Sequence, residues 1–523
     1  MNAPWCLDEV PQRPRTESPA ALPTSPDIDE EEVEEEQTGD DSLELFDTGA
    51  IVEEAELLLR ESAPHDYDML VIGAGTGGCA TALRAAELGA RVGLIEARHC
   101  GGAYLNRGSV ALHTMLSAVN LGRELKESFM DGFGRLPGFD VDFPALMARA
   151  QLAAKQLREE LVDRLLRANI TLIAGSARFV TEHVLEITGL DGTVHQLSAV
   201  QIVIATGSTV GLPEVSGAHL PGVITADEIH ELEVVPRRCL VAGSDPRGFE
   251  IAYLLNELGN DVTFLESAER IIAHEEPEIG NELYRLLDIY GVDVEVNAKV
   301  TGITRRDDRL AADVSIRGRP EKIPVDCVIL TDRHRPNIEA LRLERAGIVQ
   351  NDARIVVDSH GETSVAGVYA VGSCTRVGSS AHRSSGEGTA VAEIICGRRP
   401  TIDLLHAPNC YYTYPEIASI GLTEKAAEAE GFAVRSHLYR LMENDVAKLS
   451  GQRDGFVKLV WEEETRKLLG CHIVGPRATE VVHHAAVCLR TGQTLKDMGR
   501  TLCARPTYSE ALTAAARAAI RHG

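Results

Sequence analysis

Two glycine-rich turns hold residues whose types and spacing suit dinucleotide binding. Gly73-Ala74-Gly75-Thr76-Gly77-Gly78 is a complete G-x-G-x-x-G, and Glu96 stands 18 residues beyond Gly78. In that pattern Gly73 permits the tight turn and Gly75 lets the backbone approach a pyrophosphate. Gly78 lets helix and strand pack closely. A helix starting there offers N–H groups and a positive dipole end to phosphates, and Glu96 can accept hydrogen bonds from a ribose. The second turn is Gly243-Ser244-Asp245-Pro246-Arg247-Gly248, with Glu266 further on. Its outer glycines, Gly243 and Gly248, are kept, but Asp245 takes the middle place. A side chain there obstructs the backbone's approach. Its carboxylate repels a pyrophosphate by several kcal/mol at about 4 Å and an effective dielectric of about 20. Arg247 offsets part of that charge, and Glu266 would still suit a ribose.

Both turns need a strand before them and a helix after them, and the sequence supplies both. Tyr67–Ile72 is an apolar run, Thr76–Leu88 reads as a helix, and Arg91–Ile95 reads as the next strand. The second unit repeats this with strand Cys239–Ala242, helix Gly248–Leu258 and strand Asp261–Leu265. Two β-α-β units of this kind predict an α/β chain with two Rossmann-like nucleotide-binding domains.

The chain's 523 residues suit several domains, and its formal charge of -27 is unevenly placed. Residues 1–62 hold 19 acidic and 3 basic side chains, which leaves -11 for the remaining 461. A mildly acidic body argues against nucleic acid as a partner. The first 41 residues are rich in Pro, Ser, Thr and acid and cannot bury enough apolar surface to fold. They read as a solvated acidic extension or, alternatively, as an arm that docks a basic protein partner. Leu43–Leu59 suits a short amphipathic helix. The first lysine is Lys126, so the extension is not a lipoyl domain. No run of about 18 apolar residues predicts a membrane span. The acidic N-terminus lacks a signal or transit pattern, so the expected location is cytoplasmic. Eleven scattered cysteines without a CxxC pair fit free thiols in a reducing compartment.

Further motifs follow in order. They are Ile204-Ala205-Thr206-Gly207-Ser208, Thr363 through Val371-Gly372-Ser373, Ala381-His382 with Glu387-Gly388, and Tyr414 through Glu424. His472-Ile473-Val474-Gly475-Pro476 and Pro506-Thr507-Tyr508-Ser509-Glu510 complete the set. From about Tyr67 to Arg517 the chain resembles the pyridine nucleotide-disulfide oxidoreductases, and among them dihydrolipoamide dehydrogenase. The resemblance implies a homodimer with FAD beside a nicotinamide site, and a C-terminal α+β dimerisation domain. The expected organisation is 1–62 extension, 63–211 FAD domain, 212–338 NAD(P)-type domain, 339–404 central FAD segment and 405–523 dimerisation domain. The FAD residues it implies are Gly73, Gly75, Gly78, Glu96, Thr206, Gly207, Ser373 and Ala381. Gly243, Gly248 and Glu266 would be the NAD-type residues, with NAD(H) or NADP(H) doubtful because of Asp245.

The resemblance also marks departures. Gly101-Gly102-Ala103-Tyr104-Leu105-Asn106-Arg107-Gly108-Ser109 frames the family's two redox cysteines, but Tyr104 and Ser109 stand at their positions. A phenol and a hydroxyl cannot perform thiol–disulfide exchange. His113 replaces a lysine that would pair with the glutamate kept as Glu250. The catalytic histidine falls on Arg505, five residues before its orienting acid Glu510. An arginine stays protonated and cannot be a general base; an Arg505–Glu510 ion pair at the dimer interface is expected instead. Ser373 replaces the acid that holds the flavin ribitol, and Asp332-Arg333-His334-Arg335 replaces a small-Gly-Arg pattern before Pro336-Asn337. Cys79, Cys100 and Cys503 are the thiols nearest these motifs, and His483-His484 reads as a packed helical pair rather than a metal site. No metal is expected. Three functions follow: a non-catalytic, structural or regulatory flavoprotein; an NAD(P)H-dependent flavin enzyme working without a disulfide; or a nucleotide-sensing module that binds FAD or NAD(H) and reports occupancy through the acidic arm.

Overall fold

The computed structural model describes residues 65–128, 141–306, 309–332, 334–376 and 380–522. The acidic extension and its expected short helix lie outside the described residues.

The first nucleotide unit forms where the sequence placed it. Strand β1 (Tyr67–Ile72) is buried at all but one position, helix α1 spans Thr76–Glu87, and β2 spans Val92–Glu96. Leu88 is the helix's C-cap rather than its last turn. Then come the short helix α2 (Gly102–Asn106), the long helices α3 (Ser109–Ser128) and α4 (Phe143–Arg167), and strands β3 (Thr171–Phe179), β4 (Val184–Gly189) and β5 (Val194–Ile204). Strands β3-β2-β1-β5 pair in parallel, while β4 closes an antiparallel meander between β3 and β5. Near-continuous burial along β1 and β2 is what a parallel sheet covered on both faces requires.

The short strands β6 (Ser208–Val210) and β7 (Val223–Thr225) lead into the second unit. It is built from β8 (Arg238–Ala242), α5 (Pro246–Glu257), β9 (Asp261–Glu266), α6 (Pro277–Tyr290) and β10 (Asp293–Val296). The antiparallel sheet β11-β12-β13 (Ala298–Arg306, Arg309–Ile316, Arg319–Val325) follows, then β14 (Cys327–Leu330). Strands β10-β9-β8-β14-β7 form a five-stranded parallel sheet. Helix α5 begins at Pro246, two residues before the expected Gly248, because Asp245 caps it and Pro at N1 suits a first turn.

The chain crosses back through β15 (His334–Pro336), which pairs with β6, and β16 (Val368–Ala370) then joins β5 in the first sheet. Helix α7 (Ala381–Ile395) packs against α1. The last segment is α+β. Its antiparallel sheet orders β17 (Asn409–Tyr411), β18 (Ile417–Gly421), β21 (Leu468–Val474), β20 (Phe456–Glu462) and β19 (Val434–Arg440). Helices α8 (Ala478–Arg490) and α9 (Ser509–His522) cover it over an apolar core that includes Trp461, Leu459 and Val482. Among the described residues no helix is long and apolar enough to cross a membrane.

Candidate functional site

A cavity of about 2860 Å³ runs from the first glycine turn, past the segment Gly101–Ser109, to the second turn. Gly73, Gly75, Glu96, Thr206, Gly207, Ser373 and Ala381 line it, as do Tyr104, Ser109, His113, Asp245 and Glu250. Gly78, Gly243, Gly248 and Glu266 lie behind its walls rather than on them. Arg505 and Glu510 are not on it.

At the first turn Gly75 is the N-cap of α1 and supplies no side-chain acceptor. A Cβ built on Gly75 would meet only Gly102 Cα at 3.8 Å and Ala205 O at 4.0 Å, so the space above the helix end is open. Gly78 is different: its Cβ would fall 1.8 Å from Gly73 O, the close packing that the third glycine serves. Glu96 accepts from Ala74 N at 2.8 Å and Arg98 N at 2.9 Å, which fixes its carboxylate at the edge of the turn. Beside the same turn, where a Cβ on Gly73 would come 3.1 Å from Thr206 Cα, Thr206 Oγ1 is shielded from solvent without a protein partner. Buried polar atoms are almost always paired, so this orphan hydroxyl, the open N-cap and the fixed acid together fit a bound FAD.

The segment Gly101–Ser109 lies against that turn. Gly101 N donates to Ala74 O at 2.7 Å, and a Cβ on Gly102 would come 2.7 Å from Gly75 Cα. Tyr104 is exposed, Leu105 is buried, and Asn106 Nδ2 ties the helix to Cys100 O at 2.8 Å and Gly102 O at 3.1 Å. Ser109 starts α3. The neighbouring thiols are quiet. Burial pushes Cys79 far above its ordinary range and Cys100 up to about 11. Cys79 Sγ donates to Ala74 O at 3.1 Å. Cys503 is half-buried, with Sγ 3.7 Å from Ser509 O.

Glu250, on α5, points at the same wall. Its Oε1 accepts from Tyr412 N at 2.9 Å. His113 does not take up the carboxylate; its ring stands edge-on to Tyr412, centroids 4.2 Å apart at 90°. Burial, with no cation to answer it at close range, pushes the Glu250 carboxyl up to about 7, and burial also lowers the His113 imidazole. The Arg505–Glu510 ion pair is present, with Arg505 largely exposed at 75% and Glu510 also accepting from Thr507 N at 3.3 Å. His483 Nδ1 lies 3.2 Å from Glu480 O in its own helix. Among the described residues no three His, Cys, Asp or Glu side chains gather as a metal site.

Besides Arg247, which the sequence marked as offsetting the Asp245 charge, the second turn gathers side chains that sequence reasoning gave no role there. Asp245 is joined by His334, Arg247, Asp227 and, beyond them, Arg107. Arg107 also donates to Thr209 Oγ1 at 2.6 Å and Ser208 O at 2.9 Å. Arg354 reaches from the central segment to Ser373 O at 2.9 Å and His334 O at 3.1 Å. The usable signal was charge: an arginine inside the glycine-framed segment, and a histidine in the stretch before Pro336-Asn337.

Comparisons with known proteins bear on the same regions. Residues 67–388 match the family described as pyridine nucleotide-disulphide oxidoreductase, and residues 407–516 match its dimerisation domain. The mitochondrial dihydrolipoyl dehydrogenase of Pisum sativum is 30% identical over 462 residues, which cover 87% of this chain and 92% of that protein. A mercuric reductase of Lysinibacillus sphaericus is 30% identical over 454 residues, covering 86% of this chain and 82% of its own length. Among solved structures, LpdA from Mycobacterium tuberculosis superposes with a TM-score of 0.80 at 26% identity, over 86% of this chain and 99% of that one.

Proposed function

The chain belongs to the pyridine nucleotide-disulphide oxidoreductase family, and from that premise we propose that it is an FAD-binding homologue of dihydrolipoamide dehydrogenase without dithiol–disulfide chemistry. In this reading it is a homodimer with a structural or regulatory role. The observation that carries the reading is the segment beside the first turn. Its glycine frame packs on Gly75, yet the two positions five residues apart are Tyr104 and Ser109. Exchange needs a thiolate attacking a sulfur, and the nearest thiols, Cys79 and Cys100, are buried and held protonated.

The other departures point the same way. Arg505 is paired with Glu510 and keeps its proton, so it cannot take one from a substrate thiol. Glu250 has a backbone N–H as its partner in place of a lysine. What remains is a cradle: the open N–H groups after Gly75, the Glu96 carboxylate for a ribose, and Thr206 Oγ1. A bound flavin would supply reversible hydride acceptance there; the side chains around it orient and enclose it.

The test is made on purified full-length protein. We expect a visible flavin spectrum and no dihydrolipoamide-dependent reduction of NAD⁺. Turnover at a rate comparable to the dihydrolipoyl dehydrogenases would overturn the loss of dithiol chemistry. A colourless protein would overturn its being a flavoprotein.

A further inference from the structure

The second glycine turn raises a separate question, that of the electron donor, and its answer does not depend on the missing thiols. In an open turn of this kind the helix's first N–H groups face a dinucleotide's pyrophosphate. Here the N–H groups and the capping place are already taken. Asp245 is the N-cap of α5, and its Oδ1 accepts from Arg247 N at 2.9 Å. One residue earlier, Ser244 N donates to Asp332 Oδ1 at 2.7 Å. The acid at the end of the next strand is tied to its turn as well, as Glu96 is to the first. Glu266 is buried, and its Oε1 accepts from Ser244 Oγ and from Ala268 N at 2.8 Å.

The capping carboxylate is itself held from two sides. His334 Nε2 lies 2.6 Å from Asp245 Oδ2, and Arg247 Nε lies 3.2 Å from Asp245 Oδ1. Arg247 continues to Asp227 at 2.7 Å, and Asp227 to Arg107 at 3.6 Å. The side chains of all five are at least three-quarters shielded from solvent. Their order, Arg107–Asp227–Arg247–Asp245, alternates cation and anion from the glycine-framed segment to the second turn, and His334 of the crossover strand β15 closes the run with its hydrogen bond to Asp245. Both arginines of this run are already paired with its carboxylates.

We propose that the second turn carries an internal ligand: the Asp245 carboxylate occupies the place that a dinucleotide pyrophosphate needs, so the chain does not take up NADH or NADPH there. The carboxylate is a permanent occupant near neutral pH. Burial works against its charge, but the His334 hydrogen bond and Arg247 outweigh burial and bring it down to about 2. Protonation therefore does not release it under ordinary conditions. Replacing it with a pyrophosphate would strand Asp245 beside a second anion in a largely enclosed space, where an unpaired charge is costly.

The inference makes Asp245 a specificity-determining residue, and direct binding tests it. NADH and NADPH are the probes, in equilibrium dialysis against the full-length wild type, Asp245→Gly and Asp245→Asn. Glycine costs little at an N-cap and asparagine keeps the cap without the charge, so at least one variant should fold, as a thermal melt will show. We expect no saturable binding to the wild type and a gain of at least about tenfold, or about 1.4 kcal/mol, in Asp245→Gly, with a smaller gain in Asp245→Asn. Wild-type binding as tight as that of the variants would overturn the proposal, and so would folded variants that gain nothing. Flavin absorbance read on the same samples reports separately on the flavoprotein reading, because nicotinamide retention is measured whether or not flavin is present.

Discussion

The two glycine turns share a backbone plan and differ in what sits on it. Each follows a buried strand and opens with a glycine at positive φ, Gly73 at 102° and Gly243 at 137°. In each, that glycine's N–H donates to the next strand, to Ile95 O at 2.8 Å and to Leu265 O at 3.1 Å. Each leads into a helix of 12 residues whose N-cap is the third residue of the turn. The N-cap is Gly75 in the first and Asp245 in the second. The Cβ test explains why the fold accepts both. A side chain at Gly78 would collide with Gly73 O, whereas one at Gly75 enters open space. The outer glycines therefore serve packing, while the middle glycine is not needed for packing and leaves the space before the helix end open. Losing the middle one leaves the domain intact and changes only what caps its helix.

The sharpest way to break this comparison is to make the first turn resemble the second. Gly75→Asp should fold, because its Cβ meets nothing closer than 3.8 Å and aspartate is a good N-cap. Without a His334 or Arg247 counterpart its carboxylate would face the flavin pyrophosphate. We expect the flavin-to-protein absorbance ratio to fall by more than about tenfold, the change that a loss of about 1.4 kcal/mol or more produces. An unchanged ratio in a folded variant would mean that the middle position does not decide occupancy. The next effect is on stability. Arg247→Leu leaves Asp245 and Asp227 without their shared cation and should cost about 3 kcal/mol in denaturant unfolding, typical of a broken buried pair. A cost below about 1 kcal/mol would put the pair in the class of weak surface bridges and remove the reason the cap is permanent.

The elements around both turns were legible in the sequence because they rest on local rules: apolar runs for strands, glycines at fixed offsets, a helix after each. Asp245 was legible as an obstacle, since its type and position suffice for that. Its role as a held cap was not, because His334 lies 89 residues further along and arrives only when β15 crosses back beside the turn. Asp227 and Arg107 were missed for the same reason. Neither belongs to a turn motif, and each is brought in by packing between segments far apart in the chain. Thr206 was marked by its motif, but the shielding that leaves its hydroxyl unpaired is a property of the assembled cavity. Glu250 was marked by its motif as a retained acid; that Tyr412 N donates to it depends on how the C-terminal segment lies against α5.

Glu250 gives the finest test, because it sets two acids of one helix side by side. Asp245 at the N-cap is brought down to about 2 by His334 and Arg247 despite burial, while Glu250, further into the helix, is pushed up to about 7 by burial that the Tyr412 N–H and the more distant Arg247 only partly offset. The consequences for stability have opposite signs. Asp245 favours the folded state above the ordinary carboxylate range, and that contribution is lost only as pH falls through about 2. Glu250 has a raised value in the folded state. Its contribution is whole below the ordinary range near 4.5 and is lost as pH rises through about 7. The difference corresponds to about 3 kcal/mol at most, at 1.36 kcal/mol per unit. In Glu250→Gln the amide oxygen can still accept from Tyr412 N without a charge to bury. We expect the variant to lose the decline in unfolding free energy between about pH 5 and 8, and to be the more stable protein at the upper end. If wild type and variant keep parallel profiles across that window, Glu250 is ionised throughout, and the α5 wall of the cavity carries a second fixed negative charge beside Asp245.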